Sequence, residues 1–277
     1  MKTETLYNVR AALPDHLQDF KRWADGSATA REQYCEQSRL DLSYGSAPRQ
    51  RLDLFCASQN APLYVFVHGG YWQALDKDFF SCLAPAFLKA GRSLAIVNYR
   101  LCPEVTLAEI SCDIRQALVW LSRHGGDYGY DGERLHLLGH SAGGHLVAMM
   151  MCEGGVAPLI ASAASISGLF DLHPLIETSM NEKLRLDYQS ALQNSPAFKS
   201  PLADVPLLLA VGELESQAFH RQSQLLAQKW QKQCESLQTL VIKGSNHLTA
   251  IDQLGDLDSK LFQMVIRSGV AFRRQAP

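Results

Sequence analysis

Short apolar runs recur along this chain from about residue 40 onward, and between them lie longer stretches whose apolar positions return every three or four residues. Leu40 to Tyr44 and Arg51 to Phe55 read as two strands split by the turn formers Gly45, Ser46 and Pro48, an antiparallel lead-in. Leu63 to Val67, Leu94 to Tyr99, Leu135 to Leu138, Ala161 to Ser167, Leu207 to Val211 and Leu237 to Ile242 continue the strand series. Helical patterns fall near Phe79 to Lys89, Leu107 to Ser122, after Gly143, near Gln217 to Gln231 and near Leu257 to Arg267. Strands that alternate with helices need crossover connections, so the predicted fold class is α/β, a mostly parallel central sheet with helices on both faces.

Two stretches break the rhythm. Residues 169–200 are long, mixed in polarity and placed between two strands, where a short lid can be inserted; connections above about 15 residues without a role are uncommon in compact domains. Residues 1–35, with Pro14 and Trp23, read as helical decoration whose purpose their sequence does not state. No repeat, low-complexity tract or linker divides the chain, and 277 residues at 47% hydrophobic can bury one large core, so a single domain over 1–277 is expected.

Charge narrows the partners. The 26 basic and 28 acidic side chains leave a net −2 with no basic face or acidic tail, which argues against nucleic acid and anionic membrane and for a small-molecule partner. The opening Met1-Lys2-Thr3-Glu4-Thr5 has no basic-then-apolar pattern, and no window approaches about 18 uninterrupted apolar residues, so a soluble cytoplasmic protein is expected. The seven cysteines are odd in number and include no C-x-x-C pair, which reads as reduced, buried thiols rather than a disulfide frame or a zinc site.

The chemistry enters at Gly139-His140-Ser141-Ala142-Gly143, between the apolar run Leu135 to Leu138 and the apolar stretch Leu146 to Met150. A serine where a buried strand turns sharply into a helix is held in a strained backbone conformation, tolerable only if the residues two before and two after have no bulk. Such a turn exposes the hydroxyl and aims the next backbone N–H, that of Ala142, at an oxyanion beside it. Upstream, Leu63 to Val67 runs into His68-Gly69-Gly70-Tyr71-Trp72, where successive glycines let backbone N–H groups of Gly69 and Gly70 approach a ligand. A nucleophilic serine of this kind needs a base after the last strand, and of nine histidines only His247, after Leu240-Val241-Ile242, has that position. The acid should follow the preceding strand, where Glu213 and Glu215 compete; Glu215, three residues past Gly212, leaves room for the chain to turn back.

These residues resemble the α/β-hydrolase fold and, within it, the kynurenine formamidase (arylformamidase) family. The likeness lies in the H-G-G-x-W motif His68 to Trp72 and the G-H-S-A-G elbow Gly139 to Gly143. It extends to Leu42-Ser43-Tyr44-Gly45, Asn98-Tyr99-Arg100-Leu101, Ser167-Gly168 and Ser195-Pro196. The resemblance implies a serine hydrolase that cleaves an N-formyl aryl amide, N-formylkynurenine to kynurenine and formate, through Ser141, His247 and Glu215, with no metal or organic cofactor. It also implies an aryl pocket for which His68, Tyr71, Trp72 and Phe219 are the candidates, and a homodimer. An aspartate is common at the acid position, so Glu215 departs from the pattern. A carboxylesterase for short acyl or aryl esters uses the same machinery and is the alternative; a ligand-binding relative without catalysis is the third reading.

Overall fold

The structure, a computed structural model, describes residues 2–234 and 236–271. Three helices, α1 (Lys2–Tyr7), α2 (Val9–Ala12) and α3 (His16–Gln33), precede the strands β1 (Ser38–Ser43), β2 (Arg51–Phe55) and β3 (Ala61–Val67). Then come α4 (Ala84–Lys89), β4 (Ser93–Val97), α5 (Leu107–Arg123), α6 (Gly125–Tyr128), β5 (Tyr130–His140), α7 (Ala142–Met151) and β6 (Ile160–Ile166). The short helices α8 (Asn181–Leu184) and α9 (Tyr188–Gln193) lead to β7 (Leu207–Gly212), α10 (Gln217–Trp230), β8 (Leu237–Ile242) and α11 (Lys260–Ala271).

The eight strands form one sheet in the order β1-β2-β4-β3-β5-β6-β7-β8. Strand β2 runs antiparallel to both β1 and β4; the pairs from β4 to β8 are parallel. Alternation along the strands feeds two cores. Leu63, Val65 and Val67 of β3 pack with α5, α7 and α10 on one face, while Tyr64 and Phe66 pack with α3, α4 and α11 on the other. From β3 the chain crosses to β4 on one side and then returns to β5 on the other. That reversal opens a crevice at the carboxyl ends of β3 and β5, the place where open α/β sheets bind ligands. The His68 to Trp72 segment leaves β3 there, and Ser141 leaves β5 beside it.

Three expectations are corrected. The helix foreseen over Phe79 to Lys89 is two tight turns followed by α4, because Pro85 near its start has no N–H to donate and its ring would clash with an earlier turn. Strand β5 begins five residues before its apolar run, since Tyr130 and Asp131 pair with Ala61 and Pro62 whatever their polarity. Of the cysteines, only Cys102 and Cys234 are buried; Cys35 and Cys112 are exposed and the other three half-buried, all as free thiols. No helix among the described residues is long and apolar enough to cross a membrane.

Candidate active site

Ser141 sits between β5 and α7 with φ 55° and ψ −118°, a conformation costly for a non-glycine residue. Its surroundings enforce the turn. A Cβ on Gly139 would stand 2.2 Å from Gly143 O, and one on Gly143 would stand 1.9 Å from Val67 O, so neither position admits a side chain. The Ser141 N–H donates to Ile166 O at 2.8 Å and the Ser141 carbonyl accepts from His145 N at 3.1 Å, which pins the residue to β6 and α7.

The loop after β3 presses against this elbow. A Cβ on Gly69 would lie 2.9 Å from Ser141 Cβ, and Gly70, at φ +106°, would meet Ala74 O at 2.2 Å. Among the described residues, the N–H groups of Gly70 and Ala142 have no acceptor within the protein, Ala142 because it opens a helix. Two unsatisfied donors beside a nucleophile are what an oxyanion requires.

His247 lies on the loop after β8 with its Nδ1–H donating to Glu215 Oε2 at 2.6 Å. Glu215 Oε1 accepts from Ser167 Oγ at 2.5 Å and from Gly212 N at 2.7 Å, and its side chain is fully buried. Burial would raise the Glu215 carboxyl, but the His247 charge, the His247 and Ser167 hydrogen bonds and the Gly212 N–H outweigh it and hold its pKa below the ordinary value. With Nδ1 committed, Nε2 is the His247 nitrogen left for proton transfer. Glu213 is exposed and accepts from Gly244 N at 2.9 Å; it braces the histidine loop and does not meet His247. Of the other histidines, His124, His136 and His173 lie against Trp120 O, Ser162 Oγ and Asp171, and His220 lies on α10.

Ser141 and His247 line one cavity of about 250 Å³. Its walls include Tyr71, Phe20 and Trp23, with Met180 and Lys183 from the 169–200 segment. The four residues foreseen beside a substrate therefore part company: Tyr71 lines this cavity, whereas His68, Trp72 and Phe219 do not. His68 is buried under the loop, stacked on Tyr99 at 4.4 Å, with Nε2 3.0 Å from Asn98 Oδ1. Trp72 is fully buried and edge-on to His145 at 4.9 Å, inside the α7 core. Phe219 packs on the His247 ring at 4.4 Å and lines a smaller cavity of about 110 Å³ behind it. Aromatic type and proximity in sequence cannot separate these fates, because adjacent residues of a tight loop face opposite ways.

Sequence reasoning missed three contributors. Ser167, itself at φ 54°, holds the acid; only its place at the end of a strand beside the elbow strand hinted at that. His140 lines the cavity with Nε2 2.8 Å from the His247 carbonyl, fixing the histidine loop. The N-terminal helices supply part of a wall: Asn8, Phe20 and Trp23 line the cavity, the Tyr71 hydroxyl donates to Tyr7 O, and Glu4 accepts from Ser179 N at 2.8 Å.

Comparison with known proteins agrees with this fold. The BD-FAE family model matches residues 52–165. A kynurenine formamidase of Danio rerio is 31% identical over 257 residues, covering 87% of this chain and 85% of that protein. A solved Silicibacter sp. structure with the provisional name thioesterase is 34% identical with a TM-score of 0.88, over 96% of this chain and 99% of that one. Esterase B of Lactobacillus rhamnosis shares the fold at 21% identity and a TM-score of 0.72, over 97% of each chain. The chain belongs to the kynurenine formamidase family of α/β-hydrolases and is a hydrolase of the formamidase and esterase type.

Proposed function

We propose that this hydrolase removes the formyl group from a small aryl formamide, with N-formylkynurenine as substrate and kynurenine and formate as products. In this reading His247 takes the Ser141 proton as the serine oxygen attacks the formyl carbon, and Glu215 stabilises the cationic ring. The oxyanion is received by the N–H groups of Gly70 and Ala142, with Gly69 adjoining, each donor contributing about 3 kcal/mol to the transition state. His247 returns the proton to the departing aryl amine, and water then hydrolyses the formyl-serine by the same route in reverse.

One observation carries the choice of substrate: the cavity over Ser141 holds about 250 Å³ and includes Phe20, Trp23 and Tyr71 in its walls. That volume lies below the range of roughly 300–1,000 Å³ typical for drug-sized ligands, which suits a single aromatic ring and a one-carbon acyl group. The provisional thioesterase name of the 34%-identical structure favours a second reading, a carboxylesterase or thioesterase for short acyl groups. The deciding experiment is kcat/KM for N-formylkynurenine beside p-nitrophenyl acetate and butyrate, with Ser141→Ala as the blank. Turnover of the formamide at about 10⁴ M⁻¹s⁻¹ or more, lost in the variant, supports the formamidase. If only the esters react, the substrate assignment is wrong.

A further inference from the structure

The cavity over Ser141 is lined by two full cations, Arg10 and Lys183, and by no acidic side chain. They come from separate pieces of chain, Arg10 from α2 and Lys183 from α8, which meet over the site where Glu4 accepts from Ser179 N at 2.8 Å and from Ser179 Oγ at 2.7 Å. The acid at this clasp is already engaged: Glu4 also accepts from Asn8 Nδ2 at 2.7 Å.

Both cations are exposed, and among the described residues neither has a hydrogen bond or ion pair from its side chain. The contrast with α3 is sharp, because there Lys21, Arg22 and Arg31 are all paired with aspartates. Helix dipoles do not account for them either, since α2 and α8 have only four residues each and correspondingly small macrodipoles. Nor does the overall charge, which is −2 for the chain. Two unpaired cations at the rim of a pocket with aromatic walls form an attractive field for a carboxylate on a substrate whose ring lies inside.

We propose that Arg10 and Lys183 are a carboxylate-binding rim that makes the enzyme selective for anionic aryl substrates, and with the formamidase reading above, on which this class rests, for aryl formamides bearing a carboxylate. The formyl carbon meets Ser141 at the floor while the carboxylate stays at the mouth, half in water. The rim binds ground state and transition state alike, so it acts on KM and leaves kcat nearly unchanged. Its reach is set by screening, and its effect weakens as salt shortens the Debye length from about 10 Å at 0.1 M to about 3 Å at 1 M.

The test assays the native chain, Arg10→Gln, Lys183→Gln and the double variant on two pairs matched except for charge. One pair is 4-formamidobenzoate and 4-formamidobenzamide; the other is 4-acetoxybenzoate and 4-acetoxybenzamide. The expected result is a KM for each anionic member raised roughly threefold to tenfold by each single variant and on the order of 30-fold by both, with the neutral members unchanged. The native preference for the anion should also shrink between 0.05 and about 1 M NaCl. Equal effects on charged and neutral members, or none on either, overturn the rim. If neither formamide is cleaved but the esters are, the formamidase reading fails while the ester pair still decides the rim. Calorimetric titration of Ser141→Ala with each anionic and neutral member reads the same preference without turnover, and unchanged melting temperatures keep unfolding out of the comparison.

Discussion

The two glutamates after β7 differ by two positions and by everything that matters to a base. Glu215 is buried, holds three donors and meets His247 Nδ1, whereas Glu213 is exposed and braces Gly244. A carboxylate at Nδ1 keeps the proton on that nitrogen, and an amide there can present its own N–H and reverse the tautomer. Glu215→Gln is therefore expected to lower kcat by about 10³- to 10⁴-fold, while Glu213→Gln stays within about twofold of the native rate. Steady-state kinetics on one substrate for both variants checks the assignment, and the larger loss falling on Glu213→Gln would reverse it.

Between elements, the critical joint is the one that fastens α3 to the sheet. Asp53 on β2 is fully buried and accepts from Arg31 Nη2 at 2.7 Å and from Lys77 Nζ at 2.9 Å, with the Asp41 N–H donating to it at 2.9 Å. Burial would lower the Lys77 ammonium, yet Asp41, Asp78 and Asp53 more than compensate and hold its pKa above the ordinary value. Neutralising Asp53 leaves a buried ammonium with one partner fewer, and breaking a buried pair from one side is costly. Asp53→Asn is expected to destabilise the protein by about 3 kcal/mol in urea unfolding. Because α3 carries Phe20 and Trp23 into the cavity wall, the same variant should raise KM well below its unfolding midpoint. A KM unchanged alongside lost stability would mean that α3 keeps its place without this joint.

For the molecule as a whole, three buried neutral histidines set the acid limit of stability. His140 is pushed down to about 3 by burial and by the His247 charge, and His68 and His145 to about 4 by burial, which their hydrogen bonds to Gly69 O and Asn98 and to Asn194 O only partly offset. All three titrate near 6.5 once unfolded. Above that value neither form binds the extra proton and stability is unaffected. As pH falls from about 6.5 towards 4 the unfolded chain takes up as many as three protons that the native state refuses, so stability falls by about 1.4 kcal/mol per pH unit for each. Glu215 acts at the lower end: its depressed pKa supports folding above the ordinary carboxylate value and loses that support as pH falls through its folded value. Urea unfolding at pH 8, 7, 6 and 5 should show this slope, and His145→Gln should remove about one proton from it. A flat profile from pH 7 to 5 would contradict the buried neutral state.

The alternation of strands and helices, the parallel sheet and the elbow at Ser141 were legible in the chain alone. They depend on neighbours: apolar periodicity selects strand or helix locally, and Gly139 and Gly143 stand where a Cβ would strike backbone four or five residues on or at the end of the adjoining strand. The position of His247 followed from the same local order of strands and loops. The serine that holds Glu215, the burial of His68 and Trp72 beneath the loop they belong to, and the service of residues between Asn8 and Trp23 as part of a cavity wall were not legible. Each depends on where loops from distant parts of the chain meet across the sheet, as Ser167 meets Glu215 over 48 residues and Glu4 meets Ser179 over 175. Spacing along a chain carries no record of such encounters, because loop geometry and the packing of whole elements set them.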